Sequence, residues 1–243
     1  MLRRRHGIDV DALVSEHLGA GRPTGWFEPL YAAAFGRREA LPWAADGPHA
    51  HLVDWLDAPV AEPPGDRAVV VGCGIGDDAA ELARRGWRVT AFDIAPSAVR
   101  WARRRHRRVE VDWRVQDVLD LPDGWIGGFD LVVEVHTVGS LPGVVRDGAM
   151  DAVGRLAAEG GVVLVVTLLA TSAEHAQAWV GPPWAQAPSE LATYRASGLV
   201  RLALEHPPAE GEPAIEARVT WQRPVGVPAS TGAGPADGGL PLA

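Results

Sequence analysis

Val69-Val70-Val71-Gly72-Cys73-Gly74-Ile75-Gly76-Asp77-Asp78 is the stretch that decides the fold. A short β-branched run opens it in Arg67–Gly72 and ends on glycine, the pattern of a buried strand. Three glycines then alternate, and Asp77–Arg85 follows with helical spacing at Ala80, Leu82 and Ala83. Glycine here permits a positive φ and lets a ligand approach the backbone closely. The helix behind offers N–H groups that no turn satisfies, so the unit is a strand, a tight loop and a ligand-facing helix end.

The same alternation continues outward. Trp87–Phe92 is a second strand, Pro96–Arg105 a helix with proline in its first turn, and Val109–Val115 a third strand. Asp130–Val135 is a fourth strand, Gly143–Ala158 a helix, and Gly161–Leu169 the fifth and most apolar strand. Pro188–Ser197 reads as a helix stopped by Gly198, and Leu199–Glu205 with Ile215–Trp221 as two strands joined in a hairpin. Strands that alternate with helices build a parallel sheet covered on both faces, an α/β fold. Before this, residues 1–57 read as helical, with Leu13, Val14 and Leu18 on one stripe and Trp26, Phe27, Leu30 and Tyr31 on another. Residues 224–243 are Pro, Gly and Ala with almost no charge, and are expected to be disordered.

Composition narrows the function. The 243 residues carry a net charge of −8, with 47% hydrophobic and 22% charged residues, as in a globular protein and unlike a general binder of nucleic acid or anionic membrane. The single cysteine, Cys73, excludes an intramolecular disulfide and a cysteine-rich zinc site. No apolar run approaches the roughly 20 residues of a membrane span, and the N-terminus lacks a signal-type apolar core, so a cytoplasmic protein is expected. Every basic residue is arginine, which removes lysine Schiff-base chemistry.

Ligands of such sheets bind beyond the carboxyl ends of the strands. A dinucleotide loop wants a third glycine where Asp77 stands, followed here by Asp78, and two carboxylates would repel a pyrophosphate by a few kcal/mol in a dry site, on the order of the Coulomb energy of close charges. A phosphate loop of the Walker type needs a lysine. A ligand with cationic character fits better, and S-adenosylmethionine carries a sulfonium and an ammonium. Asp93 ends the second strand roughly 20 residues after Gly72, where an acid can accept both ribose hydroxyls. Asp117 closes the third strand, where it can accept from an adenine amino group while the Val118 N–H donates to the ring.

These residues resemble a class I S-adenosylmethionine-dependent methyltransferase, over roughly Trp26 to Arg223. VVVGCGIGDDA is similar to the family's glycine motif, TAFDIAPSAV to its ribose segment, QDVLDLP to its adenine segment and FDLVVEVHTVGSLP to its fourth-strand motif. AAEGGVVLVV is similar to the fifth strand, with Glu159 where proline is usual. A finer resemblance is to thiopurine and thiol S-methyltransferase-like enzymes, carried by Leu41-Pro42-Trp43 with Gly47-Pro48, by Gly72 to Asp78, and by Val180-Gly181-Pro182-Pro183-Trp184; Ala44 stands where an aspartate is usual. The expected fold is a Rossmann-like, seven-stranded, mostly parallel sheet with an antiparallel last strand and helices on both faces. Residues 58–223 would form this domain and residues 1–57 a helical lid.

The resemblance implies a cofactor site at Gly72, Cys73, Gly74, Gly76, Asp78, Asp93, Ile94, Asp117, Val118 and Glu134, with Glu134 near the methionine ammonium and Cys73 a small filler. Trp26, Tyr31, Trp43, His136 and Trp184 would line the pocket of a small-molecule acceptor. His136, the only histidine at a predicted strand end, is the candidate base or orienter. A thiol or other soft nucleophile is the first acceptor class, with O- or N-methylation in specialised metabolism, or a non-catalytic cofactor-binding protein, as alternatives.

Overall fold

The computed structural model describes residues 7–43, 46–209 and 212–229. Seven strands form one sheet: β1 (Arg67–Val71), β2 (Arg88–Asp93), β3 (Val111–Val115), β4 (Phe129–Val135), β5 (Ala157–Ala170), β6 (Val200–Glu205) and β7 (Ala214–Gln222). Their order is β3-β2-β1-β4-β5-β7-β6. The first five run parallel, and β7 is antiparallel to both β5 and β6. The α/β sheet expected from the alternation is therefore the one observed.

The chain reverses direction across the sheet between β1 and β4, and this switch point opens the crevice where ligands of such sheets bind. Val71 lies in register with both Phe92 and Glu134, so the loops after β1, β2 and β4 emerge side by side. Along β1 the pleat sends Val69 and Val71 into one apolar core and Ala68 and Val70 into the other. Both faces are thus buried, which is why β1 and β5 read as continuous apolar runs.

Helices α4 (Asp77–Arg84), α5 (Pro96–Arg105) and α6 (Gly143–Arg155) connect the parallel strands. Of three N-terminal helices, α1 (Val10–Gly19) packs on α2 (Phe27–Ala34), α2 on α5, and α3 (Ala50–Asp57) on β5. The buried face of α1 is Val10, Val14 and His17, whereas Leu18, placed on the apolar stripe from sequence, is exposed. Helix α2 is tied down by Glu28, which accepts from the Ser97 backbone N–H (2.8 Å) and hydroxyl (2.7 Å). Glu28 so caps α5 from outside, and its charge complements that helix's positive end.

Short helices α7 (Ala173–Ala178) and α8 (Ala192–Ala196) follow β5. Helix α8 is shorter than the helix expected over 188–197, because Glu190 turns back to accept from the Ala187 N–H (2.6 Å) and the chain enters in a turn. Of the expected disordered tail, residues 230–243 lie outside the described residues. Residues up to 229 stay against the body: the Gly226 N–H donates to Glu159 (3.3 Å), and Arg223 reaches the Pro228 carbonyl (3.4 Å). No helix among the described residues is long and apolar enough to cross a membrane.

Candidate active site

A cavity of about 1040 Å³, counted with its open mouth, lies over the carboxyl ends of β1, β2 and β4. Its floor is the loop from Gly72 to Gly76, and Asp77 and Asp78 belong to its wall. All three loop glycines have positive φ. At Gly74 (φ +53°) a Cβ would stand 2.9 Å from the Tyr31 hydroxyl, so only glycine keeps this part of the cradle open. At Gly76 (φ +88°) a Cβ would stand 2.5 Å from the Trp113 ring, because α4 must leave the loop flat against β3.

Asp93 closes one end of the floor. Its Oδ2 accepts from the Gly74 N–H and its Oδ1 from the Ala95 N–H, both at 2.9 Å. Each oxygen keeps a further lone pair for a ligand hydroxyl. Burial outweighs those two bonds and pushes the carboxyl up to about 6. Ile94, Gln116, Asp117 and Val118 line the neighbouring wall, where a flat ring would lie between apolar side chains and a carboxylate. Asp117 also accepts from the Leu119 N–H (2.9 Å). These groups fit a nucleoside carrying two ribose hydroxyls.

The aspartates after the loop are spoken for. Asp77 pairs with Arg105 (3.0 Å) and lies by His106, while Asp78 accepts from the His49 backbone N–H (2.7 Å). Burial raises the Asp78 carboxyl and likewise the Cys73 thiol, so Cys73 stays protonated and is a poor nucleophile.

The opposite wall is aromatic. Phe27, Tyr31, Leu41 and Trp43 line it, and the Trp43 indole N–H donates to the Tyr31 hydroxyl (2.9 Å). Burial, followed by the Asp93 charge, raises the Tyr31 phenol well above its usual range, so it acts as a neutral group. Trp26, expected in this wall, is fully buried behind it and stacks on Phe27 with ring centroids 4.0 Å apart. Trp184 also stands back from the cavity, held by its backbone N–H on the Gly139 carbonyl (2.6 Å).

His136 does line the cavity, just past β4, in the left-handed region with φ +57°. A non-glycine residue there carries strain that the surroundings must hold. Its N–H donates to the Val166 carbonyl (2.9 Å), and its own carbonyl accepts from Ser140. The ring Nε2 lies 2.6 Å from Oε1 of Glu216 on β7. His49 Nε2 lies 3.3 Å from the same oxygen and His51 Nε2 3.5 Å from Oε2.

Bonds from His136 and His49 hold the Glu216 carboxyl well below the usual carboxylate range. For His49 burial opposes charge, but the Glu216 bond together with the charges of Glu216 and Asp78 prevails and the net shift is upward; for His51 burial prevails and the shift is downward. Glu134, expected at the cofactor, is fully buried, does not line the cavity, and accepts from the Val138 N–H (2.9 Å). Its job is to fix the turn that presents His136. The sequence reading missed His49, His51 and Glu216. Only a His-x-His pair hinted at two of them, and nothing local marks Glu216 on a late strand.

The strand order and the crevice define a Rossmann-like fold of the methyltransferase type. Residues 68–161 match a family described as a methyltransferase domain. Over 148 residues the chain is 38% identical to a ubiquinone biosynthesis O-methyltransferase of Xanthomonas campestris pv. campestris (strain B100), covering 57% of this chain and 61% of the relative. A protein of the same description from Xanthomonas axonopodis pv. citri (strain 306) is 36% identical over the same shares. The chain thus spans about three-fifths of the length of the curated relatives it matches.

Among solved structures, one reported for the conversion of a disulfide bond into a thioacetal group during echinomycin biosynthesis aligns with a TM-score of 0.64 and 22% identity, over 83% of this chain and 91% of the other. Geranyl diphosphate C-methyltransferase from Streptomyces coelicolor A3(2), solved with S-adenosyl-L-homocysteine, aligns at 0.59 and 16% identity, over 72% of this chain and 77% of the other. At these identities the likeness establishes the fold.

Proposed function

We propose that the protein is an S-adenosylmethionine-dependent methyltransferase acting on a hydroxyl of a small, largely apolar acceptor. The observation that carries this reading is that one cavity joins two halves. One half has the glycine cradle, Asp93 and Asp117; the other has an aromatic wall ending in imidazoles on a carboxylate. S-adenosylmethionine, when bound, supplies a methyl group on an electron-poor sulfur.

The chain's own residues supply the rest. The free lone pairs of Asp93 accept the ribose hydroxyls, Asp117 and Val118 hold the adenine edge, and the first-turn N–H groups of α4 face the ligand. Residues 7–57 act as a lid, whose Phe27, Tyr31 and Trp43 exclude water and align the acceptor with the bond that breaks. A hydroxyl must lose its proton as the methyl arrives, and His49 and His136, backed by Glu216, are the groups on the cavity wall suited to receive it. A thiolate needs no such help. The cluster therefore favours oxygen over the thiol acceptor of the finer resemblance, in line with relatives named O-methyltransferases.

The test is formation of S-adenosylhomocysteine across phenols, catechols, thiols, iodide and amines, with calorimetric cofactor binding alongside. Turnover of a hydroxyl acceptor is expected, falling at least tenfold in Glu216→Gln, within the roughly 10²–10⁴ that general-base catalysis contributes. Turnover of thiols or iodide alone would overturn the acceptor class, and failure to bind the cofactor would overturn the whole reading.

A further inference from the structure

Four of the chain's eight histidines gather around one glutamate. His49, His51 and His136 each place Nε2 within 3.5 Å of a Glu216 oxygen, and the ring of His206 lies 4.9 Å from that of His51. These residues come from the start of α3, the end of β4, the end of β6 and the first part of β7, so the tertiary fold alone assembles them. We propose that His49, His136 and Glu216 bind one divalent first-row transition-metal ion of the zinc type, at the acceptor end of the cavity.

Three features support the site. The first is spacing: each residue offers one donor atom, and the three atoms lie within 4.8 Å of one another. A tetrahedral ion with bonds of about 2.0–2.1 Å holds its ligands roughly 3.4 Å apart. The His49 Nε2–Glu216 Oε1 separation is already 3.3 Å. The His136 Nε2–Oε1 separation is shorter, 2.6 Å, because a proton now joins the two; an ion would replace that proton and part them by less than an ångström.

The second feature is the donor set. Two imidazoles and one carboxylate suit Zn²⁺, Co²⁺ or Fe²⁺, whereas Mg²⁺ and Ca²⁺ prefer oxygen ligands. The third is rigidity with one open side. The Asp78 carboxylate fixes the His49 backbone, Val166 and Ser140 fix that of His136, and Glu216 is paired with Leu168 of β5. His49 and His136 both line the cavity, so the remaining coordination position faces it. His51 on Oε2 orients the carboxylate from behind. Coordination would cost the two imidazole contacts to Glu216 Oε1 and one weak hydrogen bond, the 3.3 Å contact from the His51 N–H to His49 Nδ1, against three metal–ligand bonds. Arg218, the neighbouring cation on β7, is neutralised by Glu205 (2.5 Å).

The site stands apart from the methyl-transfer reading. Only the ion's use rests on that reading: with Nε2 of His49 and His136 on the ion, these rings no longer take the acceptor's proton, and the ion instead binds the acceptor oxygen and lowers its pKa so that the proton leaves to water. The experiment titrates tag-free, metal-stripped protein with Co²⁺, read by visible d–d absorption, and with Zn²⁺, read by calorimetry. One tight equivalent per chain is expected. Glu216→Gln, and His136→Asn, which tolerates the left-handed backbone, should each weaken it at least tenfold, while the exposed His175→Ala leaves it unchanged. Far-UV circular dichroism and a cooperative thermal transition report that each variant is folded, and His49→Ala serves if one is not. Absence of a stoichiometric site, or equal binding by the folded variants, overturns the proposal. Methyl transfer by metal-free protein would overturn the ion's use alone, and a bound ion without any methyl transfer would overturn the activity alone.

Discussion

Replacing Asp93 with asparagine separates what this carboxylate does for the ligand from what it costs the fold. Burial raises its pKa from 3.8 to about 6. Between these values the folded state holds a proton that the unfolded state has released. By linkage, stability conferred by this group rises as pH falls through that window, and the ionised group is a burden above pH 6. At about 1.36 kcal/mol per pH unit the full span is on the order of 3 kcal/mol, of which about 1 kcal/mol falls between pH 8 and pH 5. Asparagine has no such proton. The amide also faces one of the Gly74 and Ala95 N–H groups with a donor, a penalty that does not vary with pH.

Urea denaturation of both proteins from pH 5 to pH 8 should therefore show the stability of Asp93→Asn, relative to the parent, improving by about 1 kcal/mol toward pH 8. S-adenosylmethionine affinity should move the other way, falling about tenfold or more in the variant, because a charge-assisted hydrogen bond is worth roughly 1.5–3 kcal/mol. A stability difference that stays flat across this range would refute the buried-carboxylate argument. Unchanged affinity would refute the ribose assignment.

Other substitutions probe the frame of the site. Gly76→Ala should cost about 3 kcal/mol in chemical denaturation, from its left-handed φ and the Trp113 ring in the path of the new Cβ. Gly74→Ala should spare more of the stability but weaken cofactor binding measured by calorimetry, since its Cβ pushes on the Tyr31 hydroxyl at the cavity edge. Tyr31→Phe removes the acceptor of the Trp43 indole N–H; a loss of about 1 kcal/mol is expected, with acceptor KM rising more than kcat changes. Arg223→Ala should cost about 3 kcal/mol by thermal or urea unfolding, because its buried guanidinium serves the carbonyls of Ala157, Gly154 and Ser197.

The sheet and half of the site were legible in the sequence because their signals are local. A β-branched run, an alternating glycine loop and a helix sit within twenty residues of Arg67, and backbone sterics alone dictate what glycine does there. Asp93 and Asp117 follow at strand ends, a place that the alternation of strands and helices marks without coordinates. Glu134 is set back from the cavity lining, because a residue's strand position says nothing about which way a turn beyond it will fold back; the Val138 N–H holds this carboxylate. Trp26 and Phe27 are adjacent members of one aromatic stretch, and only packing decided which ring faces the cavity and which stacks behind it.

The amino-acid sequence by itself thus determined the α/β alternation, the glycine cradle and the carboxylates at the ends of the second and third strands, all consequences of backbone geometry and short-range spacing. Tertiary structure alone decided the far end of the cavity. The antiparallel insertion of β7 beside β5 brings Glu216 to His136, 80 residues away in the chain, and α3 brings His49 from 167 residues away. Contacts across such distances come from sheet pairing and burial over the whole domain, which no local pattern encodes.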